Sequence, residues 1–174
     1  MPEIIKNRTV VTDDWATLNL AEGDDPETVP VPSCKIIVPL ALWQAQRPAL
    51  SGRKDVGVLL PSDARPEVLK DDVAALPLIA VDFPRFADGR GYSIAYNLRA
   101  RLGFTGELRA VGDVLRDQLF YMQRVGFDAF AVRADRSIHD ALKGLTDFSE
   151  AYQKSWDQKL PLFRRVNRPE AAPQ

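Results

Sequence analysis

Residues 78–111, LIAVDFPRFADGRGYSIAYNLRARLGFTGELRAV, contain two apolar runs separated by a helical segment. The runs are Leu78–Val81 and Glu107–Val111, and most of their residues are apolar at consecutive positions, as in strands covered on both faces. Between them three apolar residues recur at helical spacing, namely Ile94, Leu98 and Leu102. Gly103 follows, where a helix commonly ends in a left-handed cap. The stretch therefore predicts a strand–helix–strand unit with parallel strands.

The same alternation continues on both sides of this unit. Three more short apolar runs precede or follow it, namely Lys35–Val38, Val56–Leu60 and Ala129–Val132. Five helical segments accompany the remaining runs: Leu40–Gln46, one from Pro66 to Leu76, one from an Asp113 N-cap to a Gly126 cap, one begun by a Ser137–Asp140 capping box, and one through Phe148, Tyr152 and Trp156. Ile4–Ile5 and Thr9–Val11 flank a turn-prone segment and predict a short N-terminal hairpin. We therefore expect an α/β fold of about five strand–helix units with a mainly parallel sheet. The sheet is either open and doubly wound or a partial βα barrel.

Length and composition place narrow bounds on the class of protein. The chain has 174 residues, which suits one domain, and we assign residues 1–166 to it and residues 167–174 to a frayed tail. Its net charge of −1 gives no basic excess for nucleic acid, and no apolar run is long enough to span a membrane. The N-terminus lacks the features of a secretory signal, so we expect a cytoplasmic protein.

The inventory of metal and redox ligands is small. There is one cysteine, Cys34, and one histidine, His139, so neither a disulfide within the chain nor a multi-histidine metal site is possible. Gly89-Arg90-Gly91 lacks the third glycine of a dinucleotide-binding fingerprint, and no Walker loop is present. We therefore expect no metal and no cofactor.

The loop after the Leu78–Val81 run holds the richest set of polar residues. In either architecture ligands bind at the carboxyl ends of the strands, where residues 82–93 would lie. Two glycines allow close backbone approach, and the following helix start favours an anion. We predict a site for a sulfite-, sulfate-, phosphate- or carboxylate-sized anion, held by residues of this loop and the next strand: Arg85, Asp88, Arg90, Tyr92, Ser93 and Arg109.

Two carboxylates are candidate general bases at this edge, Asp82 and Asp113. Structural roles are open for several of the same residues. Asp88 before Gly89 is common turn chemistry, and Ser93 can cap its helix. Arg109 lies in an apolar run, so it either pairs with a carboxylate such as Asp82 or faces a pocket.

The sequence resembles a bacterial family through a long central block. The block runs from Asp82 to Ser93, continues through Leu98-Arg99, Gly106–Ala110, Gly112–Leu115 and Asp117-Gln118, and extends to Arg124–Asp128. It is similar to the group catalogued as domain of unknown function 934. Members carry the label of oxidoreductases of sulfite reduction, given for their genetic neighbourhood. The resemblance implies a place in sulfate assimilation and cysteine biosynthesis, with a sulfite or phosphoadenylyl-sulfate reductase as partner.

The residues argue against electron transfer by this chain itself. A sulfite reductase binds siroheme and an iron–sulfur cluster, which requires four thiolates, whereas this chain has one cysteine. Three hypotheses remain. The first is an accessory protein of sulfite reduction that binds a small anion or a reductase through residues 82–93. The second is a non-redox enzyme with an aspartate base and arginine anchors, and the third is a pure protein-interaction module.

Overall fold

One eight-stranded sheet organises the protein in the computed structural model, which describes residues 2–165. Its strands are β1 (Glu3–Lys6), β2 (Thr9–Thr12), β3 (Ala16–Thr17), β4 (Ile36–Pro39), β5 (Val56–Leu60), β6 (Leu78–Phe83), β7 (Glu107–Gly112) and β8 (Ala129–Phe130). The predicted N-terminal hairpin is present as β1 and β2. Asn7 and Arg8 form its turn, both with positive φ (48° and 65°), as in a type I′ hairpin turn.

The strand order decides between the two architectures that the sequence left open. It is β2-β1-β8-β7-β6-β5-β4-β3, and β3 to β8 are each parallel to the next strand, with β1 antiparallel to β8. From β3 to β8 each new strand is therefore added on the same side of the previous one. A doubly wound sheet requires a point at which the strand order reverses, and no such point is present among these strands. Right-handed crossovers then place the helices on one face. The fold is a mixed α/β domain with a mostly parallel, half-barrel sheet.

The connection between the two edge strands shows how strongly the sheet curls. A flat sheet of eight strands would be roughly 34 Å wide, at about 4.8 Å per strand. Thr12 ends β2 at one edge and Ala16 begins β3 at the other. Four residue steps reach at most about 14 Å. The two edges must therefore curl toward each other, and residues 13–15 bridge the gap.

Helices cover the outer face of this sheet. They are α1 (Leu40–Ala45), α2 (Arg47–Leu50), α3 (Arg90–Ala100), α4 (Arg116–Val125), α5 (Ile138–Lys143) and α6 (Leu162–Arg165), with 3₁₀ turns at Pro66–Leu69 and Gly144–Thr146. Alternate strand residues such as Val58, Val81 and Phe130 belong to the large core beneath the helices. Their neighbours form a second cluster on the inner face, where Ile37, Leu78 and Ala80 pack with Trp15 from the bridging segment.

An ion-pair network also lies within the half barrel. Arg109 Nη1 donates to Asp13 Oδ2 at 2.9 Å, and its Nε donates to Glu107 Oε1 at 2.8 Å. Lys6 Nζ lies 2.6 Å from the other oxygen of Glu107. The Arg109 side chain is only 3% exposed. Its partner is thus Asp13 in the bridging segment rather than Asp82, and the network ties that segment to β7.

Three local predictions were wrong, and the five strand–helix units are not confirmed. After β5 the chain forms only the 3₁₀ turn and further turns, although Leu69, Val73 and Leu76 are buried as their spacing indicated. Asp72 attaches these turns to α1 and α2, because its carboxylate accepts from Arg47 Nε at 2.9 Å and from the Trp43 indole at 3.3 Å. Burial is therefore achieved by turns that tertiary contacts hold in place.

The other two errors concern helix positions. Helix α4 begins at Arg116 rather than directly after Asp113. The Asp113 carboxylate binds the loop that follows β6 and does not cap the helix. Residues 148–156 form no helix, since α4 satisfies their backbone: Arg124 Nη2 donates to the Gln153 carbonyl and Trp156 N donates to the Arg124 carbonyl. Ser137 does cap α5 as predicted, accepting from Asp140 N at 3.3 Å.

Among residues 2–165 no helix combines the length and apolar character that crossing a membrane requires. The tail predicted at residues 167–174 lies outside the described residues.

Candidate functional site

The carboxyl ends of β5, β6 and β7 bring three loops to one edge of the half barrel. Residues 84–89 connect β6 to α3, and a turn closes within them because Asp88 N donates to the Arg85 carbonyl at 2.9 Å. Asp113, just after β7, accepts from Phe86 N at 2.8 Å. Gln118 Nε2 donates to the Phe86 carbonyl at 3.2 Å. Asp113 and Gln118, which both follow β7 in the chain, therefore hold this loop in place.

The Arg90 side chain at this edge is held by three hydrogen bonds. Its Nε donates to Asp88 Oδ1 at 2.9 Å, and its Nη2 donates to Asp88 Oδ2 at 2.6 Å and to Ser62 Oγ at 2.8 Å. These contacts and the Ser62 hydroxyl hold the pKa of Asp88 well below its usual range. Nη1 of Arg90 has no hydrogen-bond partner among residues 2–165. A fixed guanidinium thus presents one free amino group to solvent.

Arg90 borders an open cavity of about 560 Å³ between the loop after β5 and one face of α3. Arg90, Ser93 and Asn97 line it from α3, at positions that share a helical face. The facing wall carries Asp63, Arg65 and Glu67 among its residues. The two arginines and the two acids balance, so the cavity can contact an anionic group and an amino group of one ligand. We call it the Arg90 groove.

Asp82 lies at the carboxyl end of β6 and has a different electrostatic environment from Asp88. It alternates with the outward-packed Val81 and Phe83, so it belongs to the inner face. Within the described part of the chain it forms neither a hydrogen bond nor an ion pair. Partial burial, and secondarily the charge of Asp88, raise the pKa of Asp82. The pKa values of these two neighbouring carboxylates are thus displaced in opposite directions.

Gly112 keeps the space beside Asp82 open. It pairs with Phe83 across β6 and β7 and has a φ of +93°, a conformation that side chains rarely adopt. A Cβ here would lie 2.5 Å from the Phe83 carbonyl oxygen and 2.6 Å from Asp82 Oδ1. Glycine is therefore required for the close approach of the two strand ends.

Asp113, the second candidate base, is occupied by structural contacts. Besides Phe86 N it accepts from Arg133 Nη1 at 2.7 Å. Arg133 also bonds Asp135, at 2.6 Å from Nε. These two carboxylates raise the pKa of Arg133 further above its usual value. Asp113 thus links the segments that follow β6, β7 and β8. These contacts hold the strand ends around Asp82 together.

The remaining predicted residues are divided among different surroundings. Arg85 is exposed, and its side chain forms no hydrogen bond with the described residues, although its backbone carbonyl accepts from Asp88 N. Tyr92 packs edge-on against Phe83, with ring centroids 5.4 Å apart, and burial raises the pKa of its phenol. Ser93 lines the Arg90 groove, whereas Arg109 is buried in its ion pairs and does not reach it. Of the predicted set, the structure therefore brings together Arg90 with its partner Asp88 and Ser93.

Sequence reasoning missed five polar residues of this groove: Ser62, Asp63, Arg65, Glu67 and Asn97. Ser62 and Arg65 follow β5, so the rule that ligands bind at the carboxyl ends of strands points to them as well. Asn97 lies seven residues after Arg90, two turns along the same face of α3. Within residues 2–165 no three His, Cys, Asp or Glu side chains are placed to share a metal ion.

Comparison with known proteins gives one match. The family model described as bacterial protein of unknown function (DUF934) matches residues 57–163, which run from the second residue of β5 to the second residue of α6 and include the whole Arg90 groove. No curated protein and no solved structure matches the chain.

Proposed function

The chain belongs to the bacterial family of unknown function DUF934, and on that premise we propose that it binds a small oxyanion in the Arg90 groove as an accessory protein of assimilatory sulfite and sulfate reduction. The ligand class is sulfite, sulfate, phosphate or a carboxylate. The protein partner in this proposal is a sulfite or phosphoadenylyl-sulfate reductase. The sulfur pathway rests on the resemblance of the central sequence block to proteins labelled for sulfite reduction.

The observation that carries the binding proposal is the free Nη1 of Arg90. Asp88 and Ser62 hold the other guanidinium nitrogens, so the side chain loses little freedom when a ligand binds. A guanidinium donates well to planar or tetrahedral oxyanions. Arg65, exposed on the facing wall, supplies a second cation for the same ligand.

Calorimetric titration with sulfite, sulfate and phosphate tests the proposal. We expect binding to the wild type, and a tenfold to hundredfold loss of affinity in Arg90→Ala, because one charge-assisted contact contributes about 1.5–3 kcal/mol. Arg65→Ala should weaken binding as well, without disturbing the Arg90–Asp88 pair. Arg136→Ala is the matched control, since Arg136 is as exposed as Arg90 and lies outside the groove.

Two results would contradict the proposal. One is the absence of binding for all three anions, and the other is unchanged affinity in both Arg90→Ala and Arg65→Ala. Circular dichroism and thermal unfolding of each variant show whether the fold is intact.

Asp82 supports a second candidate, a non-redox enzyme acting on an anionic substrate. Its carboxylate is free of protein partners within residues 2–165, lies at the functional edge of the sheet, and has a raised pKa beside the ionised Asp88. A carboxylate whose pKa is raised is a stronger base than an ordinary one and suits a general base. Turnover abolished by Asp82→Asn, with anion binding retained, would distinguish this candidate from simple binding.

A third candidate is an interaction module, and the surface of residues 148–163 favours it. Four large apolar side chains there are at least half exposed: Phe148, Tyr152, Leu160 and Phe163. Exposed apolar groups that cluster in this way commonly mark a protein interface. Loss of reductase binding in Phe163→Ser, with anion affinity unchanged, would assign partner contact to this surface.

A further inference from the structure

A second groove lies on the other flank of α3, between that helix, α4 and the C-terminal segment. Its volume is about 450 Å³, within the range of roughly 300–1,000 Å³ that small-molecule sites occupy. The side chains that give it its character are three tyrosines and two cations: Tyr92, Tyr96, Tyr121, Arg101 and Lys154. We call it the tyrosine groove.

The tyrosines are brought together by helix geometry. Tyr92 and Tyr96 are four residues apart and share a face of α3, while Tyr121 reaches across from α4. The rings of Tyr92 and Tyr121 have centroids 5.2 Å apart. Tyr121 is 55% exposed and Tyr96 is 41% exposed. Two large aromatic rings thus remain open to solvent above a floor that Tyr92 and Val125 complete.

The charged side chains that line this groove are both cations. Arg101 and Lys154 line it and form no ion pair with residues 2–165, and its lining contains no carboxylate. Ser93, Asn97 and Ser155 add neutral hydrogen-bonding groups. The Arg90 groove, in contrast, balances its arginines with acids. The tyrosine groove is therefore the more strongly anion-attracting of the two.

The wall that carries Lys154 is fixed to α4. Arg124, a buried residue of that helix, donates to the Gln153 carbonyl at 2.5 Å and lies 3.3 Å from Asp157. The backbone of the same arginine accepts from Trp156 N at 3.1 Å. These contacts on both sides of Lys154 hold its segment against the helix, so the groove is formed before any ligand arrives.

From these features we propose that the tyrosine groove binds a nucleoside phosphate. The base stacks on the exposed faces of Tyr96 and Tyr121, since a tyrosine ring stacks on any base. The phosphate binds Arg101 and Lys154, which supply the charge-assisted donors. A polynucleotide is disfavoured because the chain as a whole carries a net charge of −1. The inference does not depend on the proposed function, because it uses different cations.

Titration with AMP, adenosine, inorganic phosphate and a short single-stranded oligonucleotide tests the proposal. We expect AMP to bind more tightly than either adenosine or phosphate, because the groove contacts both halves. Tyr121→Ala should weaken AMP binding by about fivefold to 150-fold, the range that corresponds to about 1–3 kcal/mol per stacked base. Arg101→Ala and Lys154→Ala should each reduce the advantage of AMP over adenosine.

Two control variants separate this site from others. Tyr152→Ala removes an exposed tyrosine outside the groove (65% exposed, against 55% for Tyr121), and AMP affinity should not change. Arg90→Ala should lower sulfite affinity but leave AMP affinity intact, so failure of one proposal is distinguishable from failure of the other.

Each of the following outcomes would overturn the assignment. The first is no AMP binding up to about 1 mM, which corresponds to a free energy weaker than about −4 kcal/mol. The second is phosphate binding as tightly as AMP in the Arg90→Ala variant, in which phosphate binding to the Arg90 groove is weakened. The third is unchanged AMP affinity in folded Tyr121→Ala, or an oligonucleotide that binds far more tightly than AMP and so identifies a strand-binding surface.

Discussion

Replacing Arg109 by methionine tests whether the ion pairs inside the half barrel hold the sheet in its curled form. Methionine keeps most of the apolar stem but removes the guanidinium. Asp13 and Glu107 then lose their partner, and both are nearly buried, with side chains 11% and 7% exposed. Lys6 still neutralises Glu107. Asp13, in the segment that bridges the sheet edges, is left with a buried and uncompensated charge.

The expected loss of stability is large because the pair is buried. Removing one partner of a buried ion pair costs about 3–5 kcal/mol. Domains of this size lose about 2–4 °C in Tm per kcal/mol, so Tm should fall by roughly 6–20 °C. The double variant Arg109→Met with Asp13→Asn should recover part of this loss, because it removes the stranded charge.

Urea unfolding followed by circular dichroism measures the effect, with Arg116→Met as the matched control. Arg116 also bonds two carboxylates, Asp140 and Asp147, but its side chain is 43% exposed. Exposed pairs contribute little, so the control should lose much less stability. Equal losses in the two variants would refute the argument from burial. A folded Arg109→Met protein with weakened anion affinity would instead return Arg109 to the binding site, where its sequence position first suggested it.

Two further predictions concern Asp82 and the C-terminal segment. Because the pKa of Asp82 is raised in the folded state, its contribution to stability is complete below the unfolded pKa and is lost as pH rises through the folded value. Asp82→Asn should therefore be more stable than wild type near pH 7, and a difference that stayed equal in urea unfolding near pH 3 would contradict this sign. Arg124→Met should release the segment around Lys154, giving faster trypsin cleavage after that residue in native protein; an unchanged cleavage rate would show that backbone contacts alone hold the segment.

The candidate site could be located from sequence only in part. The rule that ligands bind at the carboxyl ends of parallel strands directed attention to the loop after β6, and that loop can be recognised in sequence because its residues are contiguous in the chain. It could not assign partners to the arginines. Arg90 bonds Ser62, which lies 28 positions away, and Arg109 bonds Asp13 at a separation of 96. Which charges are neutralised and which remain free depends on contacts of that range.

The residues of the tyrosine groove were even harder to group from the sequence. Tyr92, Tyr121 and Lys154 come from three separate parts of the chain, and Lys154 lies within a segment that was predicted as a helix but forms none. Helical spacing relates Tyr92 to Tyr96, but no local pattern relates either of them to α4. Only the packing of α3 beside α4 makes one aromatic surface from these residues.

Local chemistry in the sequence determined the class of fold. Runs of apolar residues specified β4 to β7, the glycines after α3 and α4 specified helix ends, and the composition specified a chain without thiolate ligands for a cluster. These features act over a few residues, so a linear pattern carries them. The tertiary structure alone decided the winding direction, the curl that Asp13–Trp15 spans, and the division of polar residues between two grooves. Each of these depends on which distant strands and helices pack together, and that is set by the summed burial of the whole core rather than by any single segment.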